Sequence, residues 1–150
     1  MVDIKMTPTE VDNRIADAAD VLARLPNLTI QGYASTWPPF VREYWEAFGM
    51  SDVVLRRPPP SALAIDRMDQ ALEWLRWLEP VDAKIVWHRA NGDPWKVVCG
   101  KVGMVRSAVH QHWMYALCVI AWKLNGRNVP GNISKAALIA RAKAMAEDAA

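Results

Sequence analysis

Between Pro80 and Asn125 the chain is broken three times, at Asn91-Gly92, at Gly103 and at Asn125-Gly126. Each interval has helical length and helical spacing of its apolar residues. Glycine ends helices because it takes left-handed backbone conformations at no steric cost. Three helices are predicted, about 81–90, 94–102 and 106–124. Asp93 is expected to cap the second, with Pro94 in its first turn. Gly103 makes a tight turn between the second and third. Two short helices joined by such a turn need a small residue where they cross, and Cys99 stands four residues before Gly103. Val98, Val102, Met104 and Val109 fall where these helices bury against each other and against Ile85 and Val86 of the first. Trp113 and Leu117 continue the buried stripe.

The rest of the chain also reads as helix and connection. Thr7, Pro8 and Glu10 form a capping box for a helix over 7–25. Its stripe is Val11, Ile15, Ala18, Leu22 and Leu25. Packing within the chain is favoured for that stripe over a dimer contact, because one short amphipathic face is ordinary in globular domains. Residues 27–37 read as a loop and 39–48 as a short helix closed by Gly49. Residues 50–60 form a stiff proline-rich spacer ending in Pro58-Pro59-Pro60. Ser61 caps a helix to about Leu78, with Ile65, Met68, Leu72 and Leu75 on one stripe and Trp74 and Trp77 nearby. The Ala-rich stretch from Ser134 offers only Leu138, Ile139 and Met145 as bulk, so a frayed terminal helix is expected. With no repeat and no convincing strand, the fold class is all-α. It divides into an N-terminal helical region with linker (1–60), a helical domain (61–127) holding the trihelical unit 81–125, and a tail (128–150).

Apolar residues make up 52% of the 150 and charged residues 23%, enough for a packed core and too apolar for wholesale disorder. Eight tryptophans are expected to fill space between helices. The net charge of +2 is uneven. Residues 1–80 carry eight Lys/Arg against twelve Asp/Glu, whereas 81–127 carry seven against two, a local +5. A polyanion is drawn to that second segment and not to the whole protein. Cys99 and Cys118 are too few for a disulfide framework and read as apolar filler, which points to the cytoplasm. No apolar run reaches membrane-spanning length, and the N-terminus has no signal-peptide core.

Catalytic and metal constellations do not assemble. His110 and His112 are two apart and face different sides of a helix, so with His88 they make a poor metal set and read as solvated or base-contacting. Gly100 and Gly103 lack the Lys-Ser/Thr of a phosphate loop. Asp66 with Asp69, and Glu43 with Glu46, are carboxylate pairs at helical spacing without a group to tune them. No Ser/His/Asp arrangement is legible. The chain is not expected to be an enzyme or to hold a cofactor.

The runs Asp82-Ala83-Lys84-Ile85-Val86-Trp87, Asp93-Pro94-Trp95-Lys96 and Gly103-Met104-Val105-Arg106-Ser107-Ala108-Val109 resemble the sigma-region-4-like helix-turn-helix domain. More narrowly, the stretch from Tyr33 to Arg127 is similar to a family of small uncharacterised proteins of alphaproteobacterial phages and prophages. The segments that carry this likeness are Trp37-Pro38, Trp45-Glu46-Ala47-Phe48-Gly49, Ile65-Asp66-Arg67-Met68-Asp69, Trp74-Leu75-Arg76-Trp77-Leu78 and Trp113 through Arg127. The resemblance implies a phage-associated, DNA-linked role and no established activity. One position departs from the pattern. Such domains place Ser or Thr after the turn, then several cations, where this chain has Val105 and then Ser107, His110, Gln111 and His112.

On that resemblance the recognition helix is about 106–117, set in the major groove of double-stranded DNA. Arg106 and Gln111 are the expected base readers, since Arg pairs with guanine and Gln with adenine. Ser107 and His110 add base contacts, and Arg89, Lys96 and Lys101 hold phosphates. The expected function is a phage-type transcription regulator, a late-gene activator or antiterminator. Its acidic N-terminal region meets RNA polymerase or a second copy as a homodimer. A small terminase subunit is one alternative, disfavoured because its DNA-binding unit usually comes first. A phage-encoded protein-binding inhibitor of host polymerase or of a defence complex is the other.

Overall fold

The computed structural model describes residues 6–25 and 57–147, with side chains to residue 144. The loop expected over 27–37, the helix over 39–48 with its Glu43/Glu46 pair, and most of the 50–60 spacer lie outside the described residues. Within them every regular element is an α-helix. These are α1 (Pro8–Arg24), α2 (Ala62–Leu75), α3 (Pro80–Ala90), α4 (Trp95–Val102), α5 (Arg106–Leu124) and α6 (Lys135–Glu147).

Local chemistry sets the boundaries. Thr7 accepts a hydrogen bond from the Glu10 amide, and Ser61 does the same for Ala64, so α1 and α2 each begin on a satisfied side-chain cap. Pro8 and Pro80 occupy first-turn positions, where no amide hydrogen is missed. Gly103 ends α4 at φ 74°, and its amide donates to the Cys99 carbonyl at 2.8 Å. The helix expected to reach Leu78 stops at Leu75, and Arg76–Leu78 leave it as turns.

The helices meet around α5. Val11 and Ile15 of α1, Val86 of α3, and Ala116, Leu117, Ile120 and Ala121 of α5 form the central cluster. Trp74, Trp87 and Trp113 pack on it. Burying one side chain the size of Leu or Ile contributes roughly 1.5–3 kcal/mol, so each large residue of this centre stabilises the fold appreciably. A second cluster joins Ala18 and Val21 of α1 to Met68 and Ala71 of α2. Leu22, expected on the buried stripe, is 42% exposed, and Val21 and Ala19 are buried instead.

The tail is not frayed up to residue 144. Leu138 and Ala142 of α6 are buried against Cys118 and Val119 of α5. Ser134 accepts from the Ala137 amide at the start of that helix. Residues 116–121 of α5 are therefore buried on every side, with α1 and α3 on one flank and α6 on the other.

Candidate nucleic-acid interface

The unit formed by α3, α4 and α5 has an inner side of three β-branched residues. Ile85, Val98 and Val109 are each fully buried against one another. Trp95, Cys99, Val102, Met104 and Trp113 close around them. Each of the helices gives one anchor, so the pair α4–α5 is held rigidly and its outer side is defined by exclusion.

That outer side on α5 is Arg106, Ser107, His110 and Gln111, all exposed. The i, i+1, i+4, i+5 spacing puts the four on one face of the first two turns. Arg106, Ser107 and Gln111 make no hydrogen bond or ion pair with any described residue. His110 is steadied from beneath, with its ring 5.4 Å from Trp95 and 5.6 Å from Trp113. Val105 is the N-cap residue of α5, 70% exposed, and provides no side-chain cap.

The three expected phosphate-holding cations differ in what they already do. Lys96 is exposed and unpaired among the described residues. Lys101 is exposed, but its ammonium lies 2.8 Å from Asp93 Oδ2. Arg89 is half-buried. Its guanidinium stacks 4.3 Å above the Trp95 ring and donates to the Asp93 carbonyl at 2.7 Å. Burial pushes the Asp12 carboxyl of α1 above its ordinary value, and the charge of Arg89 pulls it partly back.

Two expectations need correction here. Asp93 does not cap α4. The N-cap residue is Pro94, and the Asp93 carboxylate meets Lys101 and, at 2.9 Å, His88 Nδ1. The hydrogen bond from Lys101, followed by that from His88, holds this carboxyl below the usual carboxylate range. A carboxylate gains more from a cationic donor such as the Lys101 ammonium than from an end amide, which explains the choice. His112 is neither solvated nor on the outer face. Its Nδ1–H donates to Asp82 Oδ1 at 2.5 Å, and the Lys135 ammonium of α6 lies 3.0 Å from the same nitrogen.

Sequence reasoning missed the role of Asp82, which is 2% exposed. A signal was present: Asp82 precedes the buried Ile85 and Val86 by three and four residues, which puts it on their face of α3. Both acids of the basic stretch are thus consumed inside the fold. The free charge left on the outer side is positive, from Lys96 and Arg106.

Gly100 lies on the exposed side of α4, one turn after Lys96. Helical glycine is about 0.5–1 kcal/mol less favourable than alanine, and nothing within 4 Å would meet a Cβ there. Cys118 is a buried thiol that burial pushes up to about 11, so it is un-ionised at neutral pH. Among the described residues no group of three or more His, Cys, Asp or Glu is placed to hold a metal ion. No described helix is long and apolar enough to cross a membrane.

No curated protein and no solved structure matches the chain. A family model described as "Domain of unknown function (DUF6362)" matches residues 23–120, most of the chain, including α2, α3, α4 and the first turns of α5, and the chain belongs to that family.

Proposed function

We propose that this protein is a DNA-binding transcription regulator of phage type, with α4 and α5 as its helix-turn-helix. The observation that carries the reading is the outer face of α5. Arg106, Ser107 and Gln111 stand free on a helix whose other side is locked by Val109. A helix fits the major groove, and these side chains have the donors and acceptors that base edges require. Lys96 and Arg106 attract the phosphate backbone while the acids nearby are spent on internal pairs. A binding protein suits the chain better than an enzyme, since Asp82 with His112 and Asp93 with His88 are occupied in tying helices together. The reading places the protein in the cytoplasm, with RNA polymerase or a second copy as its further contact.

The test is anisotropy of a labelled duplex over a salt series. Each cation that neutralises a phosphate contributes about −0.9 to the slope of log affinity against log salt. Affinity is expected at low salt, with Lys96→Ala flattening the slope by about one and Arg106→Ala weakening binding by about 1–3 kcal/mol and relaxing specificity at one base pair. No affinity for DNA at low salt, or no effect of either substitution, sinks the proposal.

A second reading has its own observation. Val97 of α4 is 40% exposed and Val105, at the start of α5, 70% exposed. Apolar groups there suit a protein partner, as an inhibitor of host polymerase or of a defence complex would need. Failure of DNA binding together with capture of purified polymerase favours it.

A further inference from the structure

Gly100 is a helical residue that the fold itself does not require to be glycine. Beyond its chain neighbours and the backbone of its own helix, nothing lies within 4 Å of where its Cβ would be, and its φ is not in the left-handed range. Alanine would hold α4 better, because glycine loses more conformational freedom on folding. A missing side chain on an open surface matters where something outside the chain must come close to the helix backbone.

Charge identifies what comes close. The exposed side of α4 is Lys96, Val97, Gly100 and Lys101, with no carboxylate among them. The nearby acid, Asp93, is already held by Lys101 and His88. Lys96 is unpaired among the described residues and precedes Gly100 by one helical turn. We infer that the surface of α4 at Gly100 seats the sugar–phosphate backbone of duplex DNA, with Lys96 holding a phosphate beside it. This rests on the DNA-binding reading above.

The seat gives Gly100 a positioning role. Backbone contacts fix register and orientation on a duplex without reading sequence. α4 is joined to α5 through Gly103, Met104 and Val105, and Val98 packs on Val109. The depth at which α4 lies on the backbone therefore sets how far Arg106 and Gln111 reach into the groove. A side chain at position 100 lifts both helices together.

The experiment uses the full chain and a short random-sequence duplex at about 50 mM salt, where non-specific binding is strong. Gly100→Ala is expected to raise the melting temperature by about 2 °C. It is also expected to weaken DNA binding several-fold. Gly100→Leu remains folded and loses about tenfold or more, equivalent to about 1.4 kcal/mol. Neither variant changes the salt slope, since no cation is removed, whereas Lys96→Ala flattens it by about one. Higher stability with lower affinity is a combination that a merely structural glycine does not produce. If the wild type binds and Gly100→Leu binds equally well, the seat lies elsewhere and only this inference fails. If the wild type binds no DNA, the DNA-binding reading fails and the seat with it. A change in sedimented mass with unchanged DNA affinity assigns the face to a second copy of the chain and also overturns the inference.

Discussion

Asp12 and Asp93 respond to pH in opposite ways. Lys101 and His88 hold the Asp93 carboxyl below 3.8, its ordinary value. Its contribution to stability is therefore full above the unfolded value near 4 and is lost as pH falls through the lower folded value. Burial raises the Asp12 carboxyl above 3.8, more than Arg89 lowers it. The stability linked to Asp12 is therefore present below the unfolded value and lost as pH rises through the folded one. Asp93→Asn is expected to lower the melting temperature at pH 7 and to flatten the acid limb below pH 4. Asp12→Asn is expected to hold or raise the melting temperature at pH 7. Thermal melts from pH 3 to 7 check both, and a lower melting point for Asp12→Asn at neutral pH overturns the assignment.

At the scale of elements, α5 begins without a side-chain cap, as α3 and α4 do. Val105 has φ −69° and ψ 153°, the extended geometry of an N-cap, with a side chain that accepts nothing. Val105→Ser supplies the missing acceptor at a position 70% exposed, where little burial is given up. A Ser cap is worth about 1 kcal/mol, which raises the melting temperature by about 2–4 °C. A differential scanning melt showing no rise means that the first amides of α5 are already satisfied. This weak cap was legible in the sequence, as were α4, its Gly103 stop and the burial of Val98 and Val109, because turn and spacing are local signals. The Asp93 cap was misread because its competing partners, His88 of α3 and Lys101 near the far end of α4, are not its neighbours in sequence. The docking of α6 was missed for a related reason. Leu138 and Ala142 alone offer little to anchor a helix, but Tyr115 and Trp122 of α5 and Ile133 before α6 pack around them and supply the bulk. The exposed face at 106–111 was readable from one helix alone, whereas the inward turn of His112 depended on where α3 and α6 lie.

Over the whole molecule, the segment before α1 is tied to the end of α5. The Asn125 Nδ2 donates to the Met6 carbonyl at 3.0 Å, and its Oδ1 accepts from the Met6 amide at 2.9 Å. The pair spans 119 residues of sequence, so no local pattern announced it. It fastens the start of α1 to the end of α5, beside the cluster in which Val11 and Ile15 meet Ile120 and Ala121. The interface helix and the N-terminal helix consequently share one core, and α1 is not expected to melt on its own. Asn125→Ala removes both bonds, each worth about 0.5–1.5 kcal/mol net, and so destabilises by about 1–3 kcal/mol. Asn125→Asp keeps the acceptor for the Met6 amide but loses the donor, and is expected to fall between alanine and the wild type. Urea unfolding followed by tryptophan fluorescence and far-UV circular dichroism reads the result. The midpoints shift to lower urea in that order, and the two probes coincide in every variant, because one transition empties one core. Separate transitions in the wild type would break the link between α1 and α5. The surface that presents Arg106 and Gln111 would then be stabilised by α3, α4 and α6 alone.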